Sequence, residues 1–369
     1  MLQDALTPPG LWVTLTVIAV ASVLIYWKRK PIKRWLRRWR IKELSIGPVK
    51  LEVEPEPEPS PQSSPPSPSP KKPSVSPPQP PPVAPISTSL REDPTFQLLC
   101  YFARQKQCRL FIGSGVSSEA GMPGDQELRD ILRAELIEMG RTVHTDAMLP
   151  ELATALERAA GRAQLIGVLR RLFDDALRER LWERGAYPWI PRLPRDLVRI
   201  IYTTNWDDLL KRAFEAAGQS VREIRDSDDL YLIPRAEHAI VKVNRDLESS
   251  EGPIMTEEHW AVVRYDIQAR TPGTLWERFE KDLTDYHFVF VGYLPGDPAL
   301  EFIWQMVKVK QSTDPRFEKR HFLVAPLGQE EAKAADTWTC IHPIVASPSE
   351  FFQALVFELK GGTDEPGTD

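Results

Sequence analysis

Residues 94–360 of this 369-residue chain are expected to fold as an α/β domain, a Rossmann-like doubly wound parallel sheet of about six strands. Three observations predict it. Apolar runs recur at 109–112, 198–204, 239–243, 288–291, 322–325 and 341–345. Each is mainly apolar rather than alternating, as strands covered on both faces are. Helical segments lie between them, at 95–107, 126–139, 163–183, 207–217, 274–283, 300–309 and 349–359, which is the order that parallel crossovers require. The stretch from about 125 to 190 carries several helices and no convincing strand, so it reads as a helical insertion beside the sheet.

The residues ahead of that domain are of another kind. Residues 11–27 contain no charge and have aromatics at both ends, Trp12, Tyr26 and Trp27. As a helix they would span about 26 Å at about 1.5 Å per residue, the short end for a transmembrane helix. Nine Lys/Arg and no acid follow in 28–42. Basic residues stay on the cytoplasmic side, so residues 1–10 are expected to be extracytoplasmic and the folded domain cytoplasmic. The partner implied is a lipid bilayer contacted through 11–42, as a single-pass anchor in the inner membrane. Within the basic juxtamembrane segment 28–54, residues 44–54 suggest one short strand or hairpin. The stretch 55–93 follows, and 15 of the chain's 35 prolines fall between 55 and 85. Proline blocks helix and sheet, so this reads as a disordered polyproline-II-like tether. Residues 361–369 read as a disordered tail.

Charge and cysteine content narrow the functional classes. The formal net charge is −5, but residues 1–90 carry +6 and the remainder therefore −11. An acidic folded portion argues against nucleic acid as a partner. Three cysteines, Cys100, Cys108 and Cys340, with no CxxC pair, exclude a structural zinc ribbon and argue against a disulfide framework. No metal site is expected. Homo-oligomerisation is left open.

Four motifs could carry chemistry. Gly113-Ser114-Gly115-Val116-Ser117 follows the first strand, and its glycines would admit backbone N–H groups to a pyrophosphate. The ordinary dinucleotide fingerprint would place a glycine at Ser118; the third glycine is Gly121 instead. Thr204-Asn205-Trp206-Asp207 ends the second strand, where ligands of open α/β sheets bind, although Asn and Asp there also serve as plain helix caps. Lys242-Val243-Asn244-Arg245-Asp246 ends the third. Gly292-Tyr293-Leu294 ends the fourth, and Asp297-Pro298 would start the next helix.

In this order the four motifs resemble the sirtuin-like superfamily, and within it the bacterial branch of NAD-cleaving anti-phage effectors. The resemblance covers about 94–360. It implies NAD or ADP-ribose as the ligand, with Gly113, Ser114, Gly115, Ser117, Gly121 and Thr204 around it and Gly292 and Tyr293 near the adenosine half. It implies Asn205 as the catalytic-pocket asparagine with Asp207 its partner. The four-cysteine zinc module of the family's protein deacylases cannot be built here, so no zinc and no deacylation are expected. Two departures matter. The family's third motif reads KxHGD, with histidine as general base, whereas this chain has Asn244-Arg245. An asparagine amide hydrogen-bonds but takes up no proton near neutral pH, and loss of a general base typically costs about 10²–10⁴-fold in rate. Leu294 replaces the usual serine. His144, His238, His259, His287, His321 and His342 read as surface or core residues, and Asp207 or Asp246 could act as a weak base if burial raised its pKa. Three readings follow: a membrane-tethered NAD-binding protein with weak turnover, an active NAD hydrolase, or a non-catalytic scaffold.

Overall fold

The computed structural model describes residues 43–46, 49–52, 88–249, 252–268, 273–293, 298–313, 320–326 and 341–360. The segment 11–27, the basic run after it, most of 55–93, Leu294, Asp297 and 361–369 lie outside the described residues. Among the described residues no helix is long and apolar enough to cross a membrane. The chain divides into two units, 1–74 and 75–369. In the first, β1 (Glu43–Ile46) and β2 (Val49–Glu52) pair antiparallel with Ile46 opposite Val49.

The second unit begins with α1 (Thr88–Glu92) and α2 (Pro94–Arg104). The Asp93 carboxylate caps α2, accepting from the Thr95 N–H at 2.6 Å, and Pro94 occupies the first turn, where a missing N–H costs nothing. β3 (Cys108–Ile112) is buried along its whole length and passes through Gly113 into α3 (Ser114–Ala120). The stretch read as an insertion holds α4 (Asp125–Glu138), α5 (Leu149–Ala160) and α6 (Arg162–Arg178). These three share a core of their own, in which Leu132, Leu152, Leu156, Leu165 and Leu169 are buried.

A short α7 (Arg195–Val198) leads into β4 (Ile200–Thr203), α8 (Leu209–Ala216), β5 (Val221–Ile224) and β6 (His238–Lys242). Then come α9 (Glu257–Gln268), α10 (Leu275–Asp285), β7 (His287–Val291), α11 (Pro298–Thr313), β8 (His321–Ala325), β9 (Ile341–Val345) and α12 (Pro348–Lys360).

The sheet has seven strands in the order β5-β6-β4-β3-β7-β8-β9, every neighbouring pair parallel. The sequence reading of about six strands is thus one short. The missing one is β5, Val-Arg-Glu-Ile, an edge strand with a single fully buried residue, Ile224. Its two charges hide the apolar run by which buried strands are recognised. The other strands explain that run: Leu110 and Ile112 of β3 enter one core while Phe111 enters the other, so both faces demand apolar side chains. On the Phe111 side the core is aromatic, with Phe111 and Phe279 ring centres 5.1 Å apart and Tyr202 and Phe279 at 5.3 Å.

β3 lies between β4 and β7, and the chain crosses from one side of it to the other after β6. That is the topological switch point of a doubly wound sheet, where a crevice opens at the carboxyl ends of the strands. The architecture is a Rossmann-like α/β fold.

Candidate functional site

The loops leaving β3, β4, β6 and β7 meet at this crevice, and their side chains are bonded to one another. Asn205, 9% exposed, is fixed by its surroundings. Its backbone N–H donates to Thr203 Oγ1 at 3.0 Å; its Nδ2 donates to the Gly113 carbonyl at 3.1 Å and to Ser117 Oγ at 2.9 Å. The Gly113 carbonyl can only accept, so Nδ2 must face it. The other carboxamide atom, Oδ1, is buried and has no partner. Ser117 donates to Asp207 Oδ2 at 2.8 Å, and Asp207 Oδ1 accepts the Leu209 N–H at 3.0 Å, which anchors the start of α8. Burial holds the Asp207 carboxyl above its ordinary pKa, against the pull of Lys242 and of the Ser117 hydroxyl.

The Gly-rich turn packs on the end of β7. The Gly113 N–H donates to the Val291 carbonyl at 2.8 Å and the Gly115 N–H to the Gly292 carbonyl at 2.9 Å. A β-carbon on Gly113 would lie 2.6 Å from the Tyr293 ring, and one on Gly115 would lie 2.9 Å from the Gly292 Cα. The two glycines therefore allow the β3 and β7 loops to touch, and their amides are engaged there. Gly292 has φ +80°, and a β-carbon on it would come 2.7 Å from the Val116 nitrogen, so no other residue fits. The Tyr293 hydroxyl donates to the Ile112 carbonyl at 3.2 Å and so accepts from Thr204 Oγ1 at 2.7 Å. Ser114 is exposed at the first turn of α3. Gly121 is not part of this group: it ends α3 as the C-cap, with Leu181 its nearest neighbour.

The third motif contributes differently. Thr203 of β4 pairs with Lys242 of β6, so Asn205 and Asn244 each follow by two residues at adjacent strand ends. Asn244 is buried, and its Oδ1 has no partner. Arg245, where the resemblance places glycine, has φ +59°, a left-handed conformation costly for any residue with a β-carbon. The rest of the motif is an ion network that the sequence reading did not foresee. Lys242, 1% exposed, reaches Asp246 at 3.1 Å, Asp208 at 3.2 Å, Glu223 at 3.3 Å and the Asp207 carbonyl at 2.6 Å. Arg225 adds 2.6 Å contacts to Asp246 and Glu223. Burial disfavours the Lys242 ammonium, but the surrounding carboxylates outweigh it and its pKa is raised. Burial likewise opposes ionisation of Asp246, but Lys242 and Arg225 prevail and hold its pKa below the ordinary range. Of the two acids considered as bases, only Asp207 is shifted in the required direction. The carboxylates of Asp208, Glu223 and Asp246 converge closely enough to hold a metal ion. The Lys242 ammonium already stands among them and supplies the positive charge. The one hint in the sequence was a lysine ending an otherwise apolar strand.

A cavity of about 280 Å³ lies between α6 and the ends of β4 and β6, lined by Arg170, Phe173, Leu177, Trp206, Asp207 and Leu247 among others. The helical insertion thus forms one wall. Its following loop also supplies Tyr187, wholly buried, whose hydroxyl is 2.8 Å from Ser117 Oγ. No sequence signal marked that residue.

The histidines lie elsewhere in the domain. His238 Nδ1 meets the Val198 carbonyl at 3.1 Å, His287 Nδ1 the Arg320 carbonyl at 2.9 Å, and His321 Nδ1 accepts the Phe288 N–H at 3.0 Å, all within the sheet. His144 is exposed and His342 half-buried. His259 lines a second cavity of about 200 Å³ with Thr154, Glu157 and Thr256. Burial and the Arg162 guanidinium, 3.1 Å from its Nε2, lower its pKa.

Comparison with known proteins agrees with the fold. Residues 199–343, from the approach to β4 through β9, match the family model of the SIR2-like domain. Two curated relatives are NAD(+) hydrolases named ThsA. The one from Cytobacillus dafuensis is 23% identical over 208 residues, covering 56% of this chain and 39% of its own length. The one from Acinetobacter baumannii (strain 532279) is 23% identical over 288 residues, covering 70% of this chain and 56% of its own. The chain therefore spans about two-fifths to just over half the length of these relatives. The matched family model and the four motifs on one sheet end agree: residues 199–343 are similar to the SIR2-like domain, and the chain shares a stretch of low identity with the two NAD(+) hydrolases.

Proposed function

We propose that this domain binds NAD or ADP-ribose at the carboxyl ends of β3, β4, β6 and β7, and that it cleaves NAD slowly. The observation that carries the reading is the orphaned, buried Asn205 Oδ1, held in one orientation beside the Gly113 turn. An unpartnered buried carbonyl oxygen costs about 1–3 kcal/mol, and a ligand hydroxyl or an ordered water would recover it. Asn244 Oδ1, at the neighbouring strand end, is a second such acceptor. Two carboxamide acceptors suit ribose hydroxyls. The 280 Å³ cavity is lined by Trp206, Asp207 and Leu247 rather than by either carboxamide, and its volume is near the lower limit of ligand pockets, about 300–1,000 Å³. The relatives named as NAD(+) hydrolases give the ligand class.

Cleavage at the nicotinamide–ribose bond leaves an electron-poor sugar carbon that water attacks. Asn205 Oδ1 can hold a hydroxyl or a water in place but cannot remove its proton. Asn244 can hold a hydroxyl and cannot act as base either, while Asp207 Oδ2 is occupied by the Ser117 hydroxyl. The chain thus retains positioning groups and lacks a histidine base at the third motif. The test is calorimetric titration of the full chain with NAD and with ADP-ribose: saturable heat with at least one is expected, and none with either, on folded protein, defeats the reading.

The membrane anchor through 11–42, with the domain on the cytoplasmic side, is part of the same proposal and rests on the 17 uncharged residues followed by nine basic ones. Held there, the domain would serve bacterial defence against phage, as the resemblance suggests. A reporter fused at the C-terminus should read out as cytoplasmic; an extracytoplasmic readout overturns the orientation.

A further inference from the structure

We infer that Tyr187 is a positioning residue of the nucleotide site, its hydroxyl completing the hydrogen bonds of Ser117 Oγ and so holding Ser117 and, through it, the Asn205 carboxamide in place. The inference rests on the nucleotide-binding reading and deepens it. The hydrogens around Ser117 have single destinations. Asp207 Oδ2 accepts the one Ser117 proton, 2.8 Å away. The Gly113 carbonyl can only accept, so one Asn205 amide proton goes there, and the second goes to Ser117 Oγ. The Tyr187 hydroxyl, 2.8 Å away, then has one role left: it donates to the remaining lone pair of Ser117 Oγ. All four side chains are buried, so water does not compete for these bonds. The outcome is that Asn205 Oδ1 is left as the unpartnered acceptor.

Packing does not explain the hydroxyl. Tyr187 is wholly enclosed in the core shared with Val116, Ala186 and Ile190, and a phenylalanine ring would fill the same space. A buried phenol needs a partner, and Ser117, 70 residues away in sequence, provides it. Tyr187 comes from the segment between α6 and α7, outside all four motifs. The segment after α6 is thereby linked to the Gly-rich turn through the Tyr187–Ser117 hydrogen bond. Displacing that segment would loosen Ser117 and leave the Asn205 amide held by the Gly113 carbonyl alone.

The experiment compares the full-length wild type with Tyr187→Phe and Ser117→Ala in two measurements. The first is hydrogen exchange of the Asn205 side-chain amide, assigned by its loss in Asn205→Asp. Exchange is expected to be slow in the wild type and at least about tenfold faster in both variants. The second is the calorimetric affinity for ADP-ribose, expected to fall about tenfold in each single variant and no further in the double variant, because the two groups act as one unit. Unchanged Asn205 exchange in Tyr187→Phe overturns the inference, as does an affinity loss in the double variant equal to the product of the single losses. If the wild type binds no nucleotide, the proposed function falls, and the exchange measurement still decides whether Tyr187 holds the carboxamide.

Discussion

Arg245 sits at φ +59°, in the one stretch of the third motif where the resemblance places glycine. A side chain there costs about 1–2 kcal/mol. Arg245→Gly should therefore raise the melting temperature by about 2–4 °C per kcal/mol recovered, which calorimetric melting checks; a lower value would show that contacts of the Arg245 side chain outweigh the strain. Gly292 is the opposite case. Its φ of +80° and the Val116 nitrogen beside it leave no room for a β-carbon, so Gly292→Ala should cost about 3 kcal/mol or more and part the β3 and β7 loops. Urea unfolding measures it. Asp207 gives a pH signature. Its folded pKa is raised, so the native state binds more protons than the unfolded chain. The stability it contributes is greatest below the unfolded pKa and is lost as pH rises through the folded one. Asp207→Asn should thus stabilise the domain at pH 8 more than at pH 4, while turning the Ser117 hydroxyl round and weakening ADP-ribose binding.

Among the elements, β6 carries the largest electrostatic load. Lys242 at its end is surrounded by Asp208, Glu223 and Asp246, drawn from the β4 loop, β5 and the β6 loop. Replacing it by Met leaves those carboxylates buried without their central cation, and such losses cost about 3–5 kcal/mol. The Asp246 pKa is depressed by this pairing, so its contribution is present above the unfolded pKa and lost as pH falls through the folded one. Unfolding free energies of Lys242→Met and wild type should therefore differ most at pH 7 and converge only as pH falls below the ordinary carboxylate pKa of about 3.9. A constant gap would assign the loss to packing. The element scale also shows what sequence could and could not convey. Strands covered on both faces announce themselves by mainly apolar runs, and β3, β4, β6, β7 and β8 do so; β9, Ile-His-Pro-Ile-Val at the opposite edge, shows a weaker one. β5 does not, because an edge position admits Arg222 and Glu223, the latter serving the ion network.

At the scale of the whole molecule, the four motifs were legible because each ends a strand, and parallel strands deliver their carboxyl ends to one side. Their meeting, Asn205 on Gly113 and Thr204 on Tyr293, follows from β4-β3-β7 being neighbours. Three features were not legible. Tyr187 arrives from a segment with no pattern of its own. The Lys242 network depends on β5. The Gly113 and Gly115 amides, read as free for a phosphate, are taken by the Val291 and Gly292 carbonyls, a contact only the tertiary structure reveals. Turnover should be limited at the third motif: Asn244→His should raise nicotinamide release from NAD by about 10²-fold, within the usual worth of a general base. Brisk release by the wild type would refute the assigned deficit.

A crystal structure of the full chain with ADP-ribose tests the nucleotide crevice most directly. Its ribose hydroxyls should lie within hydrogen-bond distance of Asn205 Oδ1 and Asn244 Oδ1, with the pyrophosphate near Ser114. A nucleotide bound away from the ends of β3 and β4, with both carboxamide oxygens still unpartnered, would remove the basis for assigning this crevice any nucleotide role.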